Sequence, residues 1–263
     1  VRGQVPQELR VAAAQVVHRQ RAGADDHGRA QDGDGKTITV QPQREVVTLG
    51  AGGEEVARLR VPRVLLVAGE DIKMTVDFLA EAVGKMKEFF SYVSIEIQPL
   101  TVDGYRRLFE AGAHGVAVYQ ETYDRPLYDK LHRGPKKDYD FRLGAPARAA
   151  EAGFYNVGVG ALLGLHNWRT EAVSLAAHAM WLRKKFWRTK VQFSFPRITP
   201  VPGGFETPAP VSEPELEQMM LAFRIFFPEN DMFISTRESF DFRKGVIQTC
   251  ASHMSAGSKV SPG

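Results

Sequence analysis

From Glu54 onward the chain alternates short apolar runs with amphipathic stretches. Arg63-Val64-Leu65-Leu66-Val67-Ala68, Tyr92-Val93-Ser94-Ile95-Glu96-Ile97 and Gly115 to Tyr119 have the length and β-branched content of strands. So do Asn156-Val157-Gly158-Val159-Gly160, Val191-Gln192-Phe193-Ser194-Phe195 and Asp231-Met232-Phe233-Ile234-Ser235, and a last candidate lies near His253-Met254-Ser255. Between them the apolar period lengthens to that of a helix. Thr75 precedes a helix whose Leu79, Ala82, Val83, Met86 and Phe90 share one face. A shorter helix carries Tyr105, Leu108 and Phe109 and closes at Gly112; another runs from Pro146 to Ala152 and ends at Gly153. A long helix from Trp168 to Trp187 turns Leu175, Ala179, Leu182 and Phe186 inward. Ser212-Glu213-Pro214-Glu215 is a capping box that opens a helix with Leu216, Met219, Met220 and Phe223. Phe89, Phe90, Phe226 and Phe227 also fall at core spacing. Repeated β-then-α units predict parallel strands with crossover helices, either an open doubly wound sheet or a TIM-type barrel.

The N-terminal segment breaks this rhythm. From Val1 to Leu49 it is rich in Gln, Arg, Gly, Ala and Asp, and the first aromatic residue of the chain is Phe78. Such a segment lacks the side chains to build a core and is expected to be poorly ordered, with Lys36-Thr37-Ile38-Thr39-Val40 as a weak strand candidate. The expected division is therefore 1–53, atypical, and 54–263, a β/α barrel core.

Composition narrows the function classes. Over 263 residues, 43% hydrophobic and 25% charged is ordinary globular usage. No apolar run reaches the length of a membrane span and Val1 to Arg10 lacks signal-peptide order, so the expectation is a cytoplasmic protein without a membrane partner. A net charge of +3 from interspersed signs lacks the basic footprint of a nucleic-acid binder. The seven histidines have no ligand-like spacing, and the single cysteine, Cys250, rules out a CxxC-type metal site within the chain. Lys136-Lys137 and Arg183-Lys184-Lys185 read as solvated faces, and Cys250 as a half-buried small residue.

Polar groups collect where the strands end. Gly69-Glu70-Asp71 follows the first run, Glu96 and Gln98 the second, and Tyr119-Gln120-Glu121-Thr122-Tyr123-Asp124 the third. Gly160 to Gly164 follows the next; Ser194 and Arg197 flank the fifth; Ser235-Thr236-Arg237-Glu238 and Ser255-Ala256-Gly257-Ser258 close the series. An open sheet gathers ligands at its switch point, whereas a barrel converges every C-terminal strand end on one mouth. The pattern favours the barrel.

These blocks carry a resemblance. VLLVAGED, SIEIQPLTVDGYRRLFEAGAHGVAVYQETYD, GVGALLGLHNWRTEA, SFPRITP, STRESFDFR and MSAGSK resemble the radical S-adenosylmethionine aromatic amino-acid lyases over roughly Glu54 to Gly263. Within them the match is nearest to the tyrosine lyases of thiazole biosynthesis, the 2-iminoacetate synthase (ThiH) type; the HydG type of hydrogenase maturation matches less closely. The resemblance implies a TIM-type barrel and cleavage of tyrosine at Cα–Cβ to 2-iminoacetate and p-cresol, started by a 5′-deoxyadenosyl radical. It implies S-adenosylmethionine and a [4Fe–4S] cluster as cofactors, and thiazole synthase as a partner. By the same resemblance Gly69 and Glu70 lie by the methionyl amino group, Glu96 and Arg142 hold ribose and carboxylate, and Gly158, Gly160 and Leu162 let backbone approach the adenine. Tyr119, Gln120, Glu121, Ser194, Arg197, Ser235, Arg237 and Ser255 are the implied tyrosine-binding set, an arginine pairing the substrate carboxylate.

One departure sets an expectation of its own. The family holds its cluster with a CxxxCxxC loop ahead of the segment that aligns at Glu54, and this chain has no cysteine before Cys250. The expectation is a lyase-like barrel core, partial at its first strand, preceded by a foreign or out-of-frame segment, truncated at its C-terminus, and unable to form the cluster alone. The alternative of another class is a cluster-free binding protein of the same fold.

Overall fold

The computed structural model describes residues 13–19, 63–68, 74–198, 205–235 and 237–256. Its strands are β1 (Ala13–Arg19), β2 (Arg63–Val67), β3 (Tyr92–Glu96), β4 (Gly115–Ala117), β5 (Asn156–Gly160), β6 (Lys190–Ser194), β7 (Asp231–Ile234) and β8 (His253–Ala256). They close into a barrel in sequence order. From β2 to β8 every neighbouring pair is parallel. β1 runs antiparallel to both of its neighbours, with Ala13 opposite Val67 and Val16 opposite Ala256. The open-sheet alternative is thereby excluded.

The barrel was expected to lack its first strand. In the structure Ala13–Arg19, within the segment expected to be poorly ordered, occupies that place with reversed direction and leaves no open sheet edge. Lys36–Val40 lies outside the described residues.

The helices are α1 (Val76–Lys87), α2 (Val102–Glu110), α3 (Arg125–Leu131), α4 (Tyr139–Leu143), α5 (Ala145–Glu151), α6 (Trp168–Lys185), α7 (Glu213–Phe226) and α8 (Phe240–Thr249). Local chemistry starts most of them. Thr75, Thr101, Asp124, Asp138, Asn167 and Ser239 each accept a hydrogen bond from a first-turn backbone N–H, and Ser212 and Glu215 form the expected capping box. Gly112 and Gly153 leave α2 and α5 with φ of 108° and 111°. Between β4 and α5 lie α3, a 3₁₀ turn (Gly134–Lys137) and α4, each too short for a hydrophobic period to appear.

Alternation along the strands separates two environments. Val64, Leu66, Val93, Ile95, Val191, Phe193, Met232 and Ile234 are buried in the layer between barrel and helices, against residues such as Leu79, Leu108, Leu175, Met219 and Phe223. The opposite positions, among them the polar Tyr92, Ser94, Glu96, Asn156, Gln192, Ser194 and Asp231, face the barrel interior. Two core expectations are corrected. Phe226 is 59% exposed, because it falls on the flank of the stripe that Leu216, Met220 and Phe223 carry inward, and its neighbour Phe227 takes the buried place. Phe89, just past α1, is half-buried. Cys250, expected half-buried, is buried, and burial pushes its thiol up.

Candidate active site at the barrel mouth

The C-terminal ends of β3 to β7 converge on one opening. Glu96 ends β3, and its carboxyl is raised to about 6, first by burial and then by the nearby Glu121, against the lowering effect of the Tyr119 hydrogen bond and of Arg237 and Arg142. The Tyr119 phenol lies beside Glu96 and Ser194, and burial together with the carboxylates of Glu96 and Glu121 pushes it well above its ordinary value. Glu96, Tyr119 and Ser194 are thereby brought together from three different strand ends.

A second group adjoins it. Arg142, buried on α4, donates from Nε to the Tyr119 carbonyl at 2.8 Å and from Nη2 to Glu121 Oε1 at 3.2 Å. Lys136 Nζ donates to the same oxygen at 2.6 Å. Lys136 was read as a solvated lysine; its partner lies fifteen residues away with no periodic relation, which is why the pattern missed it. Gln120 is 3% exposed, and among the described residues neither atom of its amide finds a partner.

The glycines have reasons inside the protein. A Cβ on Gly158 would stand 2.8 Å from Ala117 Cβ, and one on Gly160 would stand 2.4 Å from the Ser194 carbonyl and 3.0 Å from the Tyr119 ring. Their absence of side chain is what lets β4, β5 and β6 carry Tyr119 and Ser194 so close together. Leu162, half-buried, donates its N–H to the Glu121 carbonyl at 2.7 Å.

Other implied site residues are placed differently. Arg197 forks onto Glu238 through Nε at 3.0 Å and through a second contact to Oε2, and its Nη1 donates to the Val211 carbonyl at 2.6 Å. It is an internal ion pair, whereas Arg237 is exposed and near enough to act on Glu96. Ser235 accepts from the Arg237 N–H at 3.2 Å. Ser255 lies in β8, and its side chain, like Gly69, Glu70 and Asp71, is outside the described part.

Sequence reasoning missed Glu171 as more than part of a block. It is 1% exposed and accepts from Thr122 Oγ1 at 2.6 Å and Tyr123 N–H at 2.9 Å. The signal was present: Glu171 stands on the same stripe as Leu175, Ala179 and Leu182, a carboxylate where the period asks for an apolar residue. Among the described residues no three His, Cys, Asp or Glu side chains converge to hold a metal ion, and no helix is long and apolar enough to cross a membrane.

A closed α/β barrel with buried, coupled polar groups over the C-terminal ends of its parallel strands has the architecture of a barrel enzyme. The family model of the Biotin and Thiamin Synthesis associated domain matches residues 194–262. The 2-iminoacetate synthase of Salmonella typhimurium is 38% identical over 213 residues, 80% of this chain and 56% of that protein. The Escherichia coli 2-iminoacetate synthase is 40% identical over 203 residues, 76% of this chain and 54% of that protein. The FeFe-hydrogenase maturase HydG from Carboxydothermus hydrogenoformans superposes with a TM-score of 0.76 at 31% identity, covering 84% of this chain and 53% of that one. Over most of its length the chain is similar to the 2-iminoacetate synthases, and it spans about half the length of the curated relatives it matches.

Proposed function

We propose that the chain is the barrel core of a lyase that cleaves tyrosine between Cα and Cβ, yielding 2-iminoacetate for the thiamine thiazole and p-cresol, with thiazole synthase as the consuming partner. The observation that carries this reading is the coupled mouth: Glu96, Tyr119 and Ser194 beside Arg142 and Glu121, in a chain 38% identical to a 2-iminoacetate synthase.

The donor set fits S-adenosylmethionine. That molecule brings cationic groups, a carboxylate and hydroxyls; Glu96 and Glu121 offer carboxylates, Arg142 a guanidinium, and the unpartnered Gln120 amide both a donor and an acceptor. When bound, S-adenosylmethionine supplies the 5′-deoxyadenosyl radical. In this reading Arg237 pairs the tyrosine carboxylate while Ser194 and Ser235 line the approach. In the same reading Tyr119, which lies beside Glu96, orients that carboxyl.

An iron–sulfur cluster does not fit the residues of this chain: its single cysteine, Cys250, is buried and caps α8. No step is assigned to the cluster, and this polypeptide by itself is expected to make no p-cresol. The competing reading, a binding protein of the same fold, draws on that same lone cysteine. Anaerobic reconstitution with iron and sulfide, beside a version carrying a CxxxCxxC segment at its N-terminus, separates the two. Tyrosine-dependent p-cresol from the extended version alone supports the lyase core. Binding of S-adenosylmethionine and tyrosine with no turnover in either version favours the binding protein.

A further inference from the structure

Among the described residues Glu121 is the sole non-glycine in the left-handed region, with φ 72°. A long side chain disfavours that conformation, so it persists only where surrounding contacts over-determine it. One set of contacts comes from β5. Gln120 N–H donates to the Gly160 carbonyl at 2.9 Å and Leu162 N–H to the Glu121 carbonyl at 2.7 Å, carrying the ladder through the reversal.

The other set comes from α6. Glu171 Oε1 accepts from Thr122 Oγ1 at 2.6 Å, and its Oε2 from Tyr123 N–H at 2.9 Å. Thr122 Oγ1 accepts in turn from Asp124 N–H at 3.1 Å, and Asp124 caps α3 through Leu127 N–H at 2.8 Å. One carboxylate thus ties down three successive residues beyond Glu121. Burying a carboxylate on an apolar helix stripe is costly unless its partners need it. The partners here are backbone and hydroxyl groups of the mouth segment, with His166 Nδ1 at 3.5 Å as the neighbouring basic group.

We infer that Glu171 is a positioning residue of the mouth: it holds Thr122 and Tyr123 so that Glu121 stays left-handed and keeps its carboxylate on Arg142 and Lys136. The inference rests on the functional reading above for its ligand and on the geometry alone for its clamp. Because Arg142 also holds the Tyr119 carbonyl, slackening at Thr122 spreads to the guanidinium and to Gln120, the groups that meet S-adenosylmethionine.

The test compares wild type, Glu171→Ala and Glu171→Gln by amide hydrogen exchange over 119–124 and by equilibrium dialysis with radiolabelled S-adenosylmethionine. Glutamine keeps the shape, accepts from Tyr123 N–H and donates to Thr122 Oγ1, so it restores the clamp without the charge. Exchange over 120–124 is expected to rise about tenfold or more in the alanine variant, with the rest of the barrel unchanged, and to return close to wild type with glutamine. Affinity is expected to fall about tenfold with alanine, the size of one lost hydrogen bond to a charged group, and to recover with glutamine. Unchanged exchange in the alanine variant overturns the clamp. Loss spread over the whole barrel, or shared equally by both variants, assigns Glu171 to general stability instead. Altered exchange with unaltered affinity breaks the link to the ligand. If wild type itself binds no S-adenosylmethionine, the functional reading fails while exchange still decides the clamp.

Discussion

At the base of the barrel, where the strands begin, Asp231 meets Lys190 Nζ at 3.0 Å, Gln192 Nε2 at 3.3 Å and Ser252 Oγ at 3.3 Å. Ser252 lies 2.9 Å from His253 Nδ1, Arg63 lies 3.4 Å from His253 Nε2 and stacks its guanidinium over Tyr92, and Asn156 donates to the Tyr92 hydroxyl at 2.7 Å. Burial alone would raise the Asp231 carboxyl, yet Lys190, His253 and Gln192 together hold it below its ordinary value. At the mouth the balance is reversed. Glu96 is raised to about 6, Gln120 keeps two amide atoms without a partner, and Glu121 sits in a disfavoured backbone region. Both ends are buried and polar, so polarity does not distinguish a site from a plug. What distinguishes them is whether the protein satisfies its own groups.

That comparison breaks or sharpens by substitution. Asp231→Ala, which removes the carboxylate that Lys190, Gln192 and Ser252 meet, is expected to cost about 3 kcal/mol in urea denaturation. A loss under about 1 kcal/mol would mean that the base is no tighter than the mouth.

Glu96→Gln is expected to act in the opposite sense. Its carboxyl is raised in the fold, so its contribution to stability is present while it is protonated, below about pH 4.5, and is lost as pH rises through about 6. Relative to wild type the glutamine variant should therefore gain about 2 kcal/mol above that pH, and the gain should vanish toward pH 4.5. Parallel pH profiles of the two denaturation midpoints would sink the assignment. The same variant should bind S-adenosylmethionine less well, stability and binding moving in opposite directions.

Gln120→Met removes an amide the protein leaves unpaired, so stability should hold or rise by about 1 kcal/mol while ligand affinity falls. A clear loss of stability would show that the amide serves the fold. The smallest effect expected is that of Lys136→Met, whose pair with Glu121 is partly open to water: about 0.5 kcal/mol, reduced further by salt.

Much of this barrel was legible in the chain because its signals are local. Tyr92 to Glu96, Asn156 to Gly160 and the Ser212 capping box announce themselves within a few residues, through alternation and side-chain caps. Ala13–Arg19 was not legible. Its strand character depends on β2 and β8, the latter more than two hundred residues away, and nothing in its own composition separates it from the surrounding segment. The helices between Asp124 and Gly144 were hidden by their length, and the role of Glu171 by partners, Thr122 and Tyr123, that lie far from it in sequence.

Sequence alone determined the order of the parallel strands and of the longer helices from Arg63 onward, the capping box, the polar strand ends and the resemblance to a family, since each is written in neighbouring residues or in blocks kept in order. Tertiary structure alone decided that Arg197 is committed to Glu238, that Lys136 and Arg142 share Glu121, that Gly158 and Gly160 make room for other strands, and that Glu121 is held left-handed. These are pairings between residues tens of positions apart, and desolvation and distance select them only once the barrel has closed.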